Sequence, residues 1–203
     1  MPGNVLVQRP TSEVIPLAEA RAHLRVTSTD DDATLAGIVL SARQYVEVET
    51  SRALIIQRWR TTFDGGWPVA YDGCGYRTRI VLPRAPLSAV VSVQYVDENG
   101  ATQTLATADY VVARVADPRQ RGYIEPAFGV SWPAVRSQPE AVLVTYDAGY
   151  GTQPGTVPGD LRSAILLLAG HWFENRESVV VGTAASEVPL TIERLLSRYR
   201  VEI

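Results

Sequence analysis

The chain has 203 residues, 46% of them apolar and 20% charged, with a net charge of −3. That is the make-up of a globular protein of one or two domains, large enough to bury roughly 70% of the surface its unfolded form exposes. The charge argues against a broad nucleic-acid-binding face, the single cysteine (Cys74) rules out an intrachain disulfide, and the lack of a leader pattern or membrane-length apolar run points to a soluble cytoplasmic product.

All nineteen basic residues are Arg. Codon bias accounts for that. A consequence is that every cation can pair bidentately and tolerate partial burial, which suits interfaces.

Residues 1–14 read as an extended arm. Pro16 then opens a helix over Leu17–Leu24, with Leu17, Ala20 and Leu24 facing inward. Thr27-Ser28-Thr29 followed by Asp30-Asp31-Asp32 is a helix start: a hydroxyl cap, then carboxylates opposing the positive end of the dipole. A metal site at the triplet is the sharper alternative, but no EF-hand spacing follows it. The helix runs to about Arg52. Leu35, Ile38, Val39, Ala42, Tyr45 and Val46 form its apolar stripe, and Arg43, Glu47 and Glu49 lie off it.

From Ile55 the period changes to two. Gln57–Phe63 reads as a strand ending at Gly65-Gly66, and 64–78 as a loop. Arg79–Leu82 is a short strand punctuated by Pro83 and Pro86. Val90–Val96 and Ala101–Leu105 flank Asp97-Glu98-Asn99-Gly100, which predicts a hairpin with positive φ at both Asn99 and Gly100. Tyr110–Val115, Gly122–Glu125 and Ala141–Tyr146 are further strands, the last closing at Gly149-Tyr150-Gly151. Residues 55–150 are thus an antiparallel β unit of six or seven strands, and 151–159 link back to a helical part.

Asp160–Arg176 (DLRSAILLLAGHWFENR) is the expected central helix, with Asp160 as N-cap. Leu161, Ala164, Ile165, Leu168 and Trp172 share one face. Leu167, Ala169 and Phe173 widen it, leaving only Ser163, Gly170 and Glu174 as a narrow polar or small strip. A helix this apolar must be covered from several directions, and its apolar core, Ile165–Phe173, is too short to span a membrane. Val179-Val180-Val181 and the small-residue run Gly182–Ser186 follow. In the tail, Leu190–Val201, one face carries Ile192, Leu195, Leu196 and Tyr199, and Arg194, Arg198 and Arg200 make it basic. It either covers the central helix or docks on another protein, as amphipathic helices do in grooves.

Catalytic constellations are sparse. His171 and Glu174 stand at i, i+3 with Glu177 a turn later, so one imidazole and two carboxylates could meet a metal. Only His23 could add a second imidazole. Cys74, in Asp72-Gly73-Cys74-Gly75-Tyr76, has no evident base, and no phosphate loop or nucleophile elbow occurs. Trp59, Trp67, Trp132 and Trp172, with nine tyrosines, could form a sugar-binding face, although such aromatics more often fill a core.

Several segments together carry a family resemblance. They are L-A-E-A-R-A-H-L-R-V (Leu17–Val26), D-D-D-A-T-L (Asp30–Leu35), a β insertion, G-D-L-R-S-A-I-L-L-L-A-G-H-W-F-E-N-R-E (Gly159–Glu177) and V-V-V-G-T. From about Leu17 to the C-terminus the chain resembles the head–tail connector (adaptor) proteins of long-tailed phages and phage-like gene transfer agents. W-F-E-N-R-E (Trp172–Glu177) is the most specific part. The resemblance implies a structural role with no catalytic residue, metal or cofactor. It implies a ring, typically of twelve copies, at the neck of a particle assembled in the host cytoplasm. Such a ring sits beneath the portal, joins it to the stopper or tail terminator, and lets double-stranded DNA pass without sequence recognition.

The expected fold is α+β: a small helical bundle, made by the N-terminal helices and the central C-terminal helix, with an inserted antiparallel β unit and an extended tail. The divisions are 1–54, 55–150, 151–181 and 182–203. Ile192, Arg194, Leu195, Leu196, Arg198 and Tyr199 are the expected portal contacts. Trp172, Phe173, Asn175, Arg176 and Glu177 are the expected inter-subunit contacts. Residues 1–14, 64–78 and 178–203 are expected to order only on assembly, because each is poor in apolar side chains. The alternatives are a small metal-dependent enzyme using His171 and Glu174, and a carbohydrate-binding β module.

Overall fold

In the computed structural model, which describes residues 3–71, 76–175 and 189–201, the change of period at Ile55 is a change of architecture. Among the described residues ten strands are formed: β1 (Gly3–Gln8), β2 (Gln57–Phe63), β3 (Ala70–Tyr71), β4 (Tyr76–Arg77), β5 (Ile80–Val81), β6 (Leu87–Val96), β7 (Thr102–Thr104), β8 (Tyr110–Ala113), β9 (Tyr123–Pro126) and β10 (Val142–Ala148). Among the described residues four α-helices accompany them: α1 (Leu17–Leu24), α2 (Asp32–Thr50), α3 (Gly159–Glu174) and α4 (Leu190–Ser197). The fold is α+β. The chain divides into a β unit, from the residues up to Pro10 with Ile56–Tyr150, and a helical unit, from Thr11–Ile55 with the residues from Gly151 onward.

The β unit holds an antiparallel five-stranded sheet in the order β1-β2-β10-β6-β7 and a three-stranded sheet in the order β5-β9-β8. β10 lies at the centre of the larger sheet, and its alternation is clean. Val142, Val144, Tyr146 and Ala148 are fully buried, while Asp147 on the other face is paired with Arg58 at 2.7 Å. Ile80, Leu82, Leu87, Val93 and Ile124 complete this core. Gly122 is a packing requirement: a Cβ there would lie 2.9 Å from Leu87 Cγ, closer than carbon atoms approach.

The first residues are not an arm. Gly3–Leu6 pair with Trp59–Thr62, so β1 is an edge strand of the sheet. The segment read as a loop, 64–78, includes the two-residue β3–β4 pair. The Asn99-Gly100 turn also differs from expectation. Only Gly100 has positive φ (86°), and Asp97 pairs with Ala101 around a three-residue loop. This is the hairpin with a glycine bulge rather than the two-residue turn. It is held because the Asp97 carboxylate accepts from the backbone of Asn99 and Ala101 and from Gln103 Nε2, each at 2.9 Å.

In the helical unit, α3 packs against α2, α1 and α4. Leu161, Ala164, Ile165, Leu168 and Ala169 are buried among Ala20, Leu35, Val39, Ala42, Val46, Ile192 and Leu196. Gly170 lets α1 approach, since a Cβ there would stand 3.2 Å from Leu24 Cδ2. Coverage of α3 is incomplete: Leu167 remains 42% exposed. Two cap assignments change. Pro158 is the N-cap of α3 and Asp160 lies inside the first turn. Asp31 is the N-cap of α2 but makes no side-chain cap bond, while Ser28 Oγ accepts from Asp30 N at 3.1 Å and donates to Asp30 Oδ2 at 2.7 Å.

Arg43 and Glu47, expected off the apolar stripe, are buried instead. Arg43 Nη1 donates to Glu47 Oε2 at 2.6 Å and Arg43 Nε to Glu13 Oε2 at 2.8 Å, and Glu47 Oε1 accepts from Leu54 N at 2.9 Å. A charge pair is tolerated in a core only when its remaining donors and acceptors are also satisfied. Here the network does so, and it ties the end of α2 to the chain on either side.

Candidate assembly surfaces

α4 has the strongly amphipathic pattern read from the sequence, and the structure says where its apolar face goes. Ile192 and Leu196 are each 1% exposed, set against α3 and α2. The residues after the helix are tied down as well. Arg52 Nε donates to Tyr199 O at 2.6 Å, with the Arg52 guanidinium 5.7 Å from the Tyr199 ring centre. Tyr199 Oη donates to Asp160 Oδ2 at 3.3 Å, Arg200 Nη2 to Glu49 Oε2 at 2.8 Å, and Val201 N to Thr50 O at 3.2 Å. Burial, and then the charge of Asp160, push the Tyr199 phenol up. Of the six residues expected to meet a portal, Arg194 and Arg198 are exposed, Leu195 and Tyr199 are half-buried, and Ile192 and Leu196 are enclosed by their own unit. Leu190, at the start of α4, is 70% exposed.

The expected inter-subunit group gathers at the end of α3. Trp172 and Phe173 are half-buried, and Trp172 meets Tyr45 edge-on at 6.1 Å. Asn175 closes the helix: its Nδ2 donates to His171 O at 2.9 Å, and its backbone N to the same carbonyl at 3.1 Å. Arg176 and Glu177 lie outside the described residues, as do Cys74 and the run Val179–Ser186.

His171 is half-buried and its Nδ1 is 3.5 Å from Asn175 Nδ2, while Glu174 is exposed. Among the described residues no three potential metal ligands cluster. The tryptophans do not share a platform. Trp67 and Trp132 stack on each other with ring centres 4.4 Å apart, and each indole N–H donates to a backbone carbonyl, Pro133 O and Thr78 O. Trp59 lies under the Arg84 guanidinium at 4.7 Å, and Trp172 is in the helical unit.

One group was not singled out in the sequence. Arg79 and Arg114 both stand over the ring of Tyr123, at 5.0 and 5.3 Å. Arg121, two positions before Tyr123, is half-buried, which pushes its guanidinium pKa down, and Arg84 is a charged neighbour. The only sequence signal was the recurrence of Arg between short strands, and pairing β5 with β9 and β8 is what brings these residues together. Among the described residues Phe128, at the tip of the Ala127–Val130 turn, is the most exposed large apolar side chain, and Val5 on β1 is 62% exposed.

No family model and no curated protein sequence matches the chain. Solved structures do. A chain in the virion of a native gene transfer agent particle is 25% identical, with a TM-score of 0.73 over 98% of this chain and 96% of that one. A chain in the neck of an empty gene transfer agent particle, computed with C6 symmetry, is 23% identical, with a TM-score of 0.75 over 99% and 96%. A chain in the neck of a native particle, computed with C12 symmetry, is 24% identical, with a TM-score of 0.68 over 98% and 97%. In its helical and its β unit alike, this chain has the fold of chains in the virion and neck of gene transfer agent particles.

Proposed function

We propose that the protein is a non-enzymatic neck subunit of a phage or phage-like particle. Copies form a ring, twelve in number, that joins the portal to the stopper or tail terminator and surrounds the path of double-stranded DNA. The observation that carries this reading is the match over nearly the full length to chains of gene transfer agent virions and necks, including one computed with C12 symmetry. Closed rings are built from heterologous contacts, in which one patch meets a different patch on the next copy. The half-buried Trp172 and Phe173 with Asn175, Arg176 and Glu177 are suited to one such patch. No described helix is long and apolar enough to cross a membrane.

Portal docking belongs to the outer face of α4. With Ile192 and Leu196 enclosed, Arg194 and Arg198 are the side chains free to meet acids, and Leu190 and Leu195 supply apolar area beside them. The test is imaging of purified particles. Twelve copies at the vertex support the reading, and particles whose necks lack the chain refute it.

A further inference from the structure

The two units differ in charge. The β unit's residues carry ten Arg against nine Asp and Glu, and the helical unit's nine against thirteen. Within the β unit the positive charge is concentrated. Arg79 and Arg114 share the face of Tyr123.

Arg79 Nε is buried with no hydrogen-bond partner, so a group from outside meets this side chain at its outer guanidinium nitrogens. Neither Arg79 nor Arg114 has a carboxylate partner among the described residues. Glu125 is two positions from Tyr123 on β9 and pairs with neither. Tyr123 therefore orients two planar guanidiniums, one exposed and one half-buried, without neutralising them.

We infer that Arg79, Tyr123 and Arg114 form a clamp for carboxylates of a second copy of this chain, presented by its acidic helical unit. This rests on the ring reading above and names one of its heterologous contacts. The occupant follows from charge complementarity. A ring packs a surface of each copy against a different surface of the next, and the helical unit of every copy offers Asp30, Glu174 and Glu193, which are exposed and, among the described residues, outside the ion pairs that hold other carboxylates of that unit. The negative total charge disfavours nucleic acid as the ligand.

The test compares particles assembled with the wild-type chain and with R79E/R114E, counting neck copies by imaging. Melting and far-UV circular dichroism of the purified chains confirm that the variant folds. Wild type fills the ring. The reversed pair lowers occupancy by about tenfold or more, because like charges opposed across a contact are strongly unfavourable. Adding Asp30→Arg, Glu174→Arg or Glu193→Arg to the double variant restores occupancy for whichever carboxylate lies opposite. Should R79E/R114E unfold, R79Q/R114Q removes the charge without reversing it and is expected to show the same loss, to a smaller extent. A folded variant that fills the ring like wild type overturns the clamp alone. An intact ring with lost salt-dependent binding of a duplex oligonucleotide overturns it in favour of DNA. Failure of all three reversals to restore occupancy overturns the helical unit as partner. Absence of wild type from the neck overturns the ring reading and the clamp with it.

Discussion

Arg43 and Glu47, one turn apart on α2, share a 2.6 Å ion pair with side chains only 6% and 9% exposed. Glu47 has a second task, since its other oxygen accepts from Leu54 N where the chain leaves the helix. Glu47→Ala strips Arg43 of its buried partner and leaves the Leu54 amide unsatisfied, at an expected cost of about 3–5 kcal/mol. The double change R43M/E47Q removes the charge but keeps an acceptor for Leu54, and should lie much closer to wild type. Denaturant titration of the three proteins checks the order. Equal losses for E47A and R43M/E47Q would mean that the buried charge is not what makes the single change costly.

Tyr146 gives the β unit an alkaline limit. Its ring is fully buried on β10, and its hydroxyl accepts from Arg84 N at 3.3 Å and lies 3.4 Å from Asn4 Oδ1. Burial pushes the phenol up to about 12, only partly offset by hydrogen bonding to Thr61 and by Arg84. The folded state thus prefers the neutral phenol. Its contribution is intact below the ordinary tyrosine value of about 10 and is lost as pH rises from there towards 12, amounting to about 3 kcal/mol across that window. Stability measured at stepped pH should fall across pH 10–12, and Tyr146→Phe should flatten that fall while lowering stability at neutral pH through its lost hydrogen bonds. An unchanged slope in Y146F would remove Tyr146 as the cause.

Trp67 and Trp132 use their faces on one another, 4.4 Å apart and 10° from parallel. Trp132→Ala removes the stack and the bond to Thr78 O, at an expected cost of about 2 kcal/mol, and Trp132→Phe recovers a good part of it. Near-ultraviolet circular dichroism should lose intensity in both variants, because coupled indoles give the strongest aromatic signal. Retention of the full wild-type signal in W132A would show that the pair is not stacked in solution.

How much of this was legible depended on where each element finds its partner. α2, α3, β2 and β10 announce themselves through their own period, because each buries one face or alternates along its length. β1 does not. Gly3–Gln8 becomes a strand only by pairing with Arg58–Thr62, fifty or more positions away, and a short apolar run has no local sign of that. The Arg43–Glu47 pair was placed outside because charge is normally a marker of the surface, and its other partner, Glu13, lies thirty positions earlier. The turn at Asn99 followed Asp97, whose carboxylate binds two backbone amides and so selects the bulged loop over the tighter one. The Arg79–Tyr123–Arg114 group combines residues from three places in the chain. Such sites are set by strand pairing and are invisible to any window along the sequence.

The last expectation separates what α4 does for its own unit from what it does for a partner. Ile192 and Leu196 fill the helical core, so Ile192→Ala or Leu196→Ala should cost about 2–5 kcal/mol and release the helix, seen as faster amide exchange over Leu190–Ser197. Arg194 and Arg198 are exposed, so R194E/R198E should melt within about 0.5 kcal/mol of wild type with unchanged exchange. If the outer face of α4 meets the portal, that same double variant loses portal binding in a pull-down while the fold is intact. The converse result, full portal binding by R194E/R198E together with binding lost only when I192A or L196A frees the helix, would mean that α4 must leave its unit to act, and that its buried face is the one the portal receives.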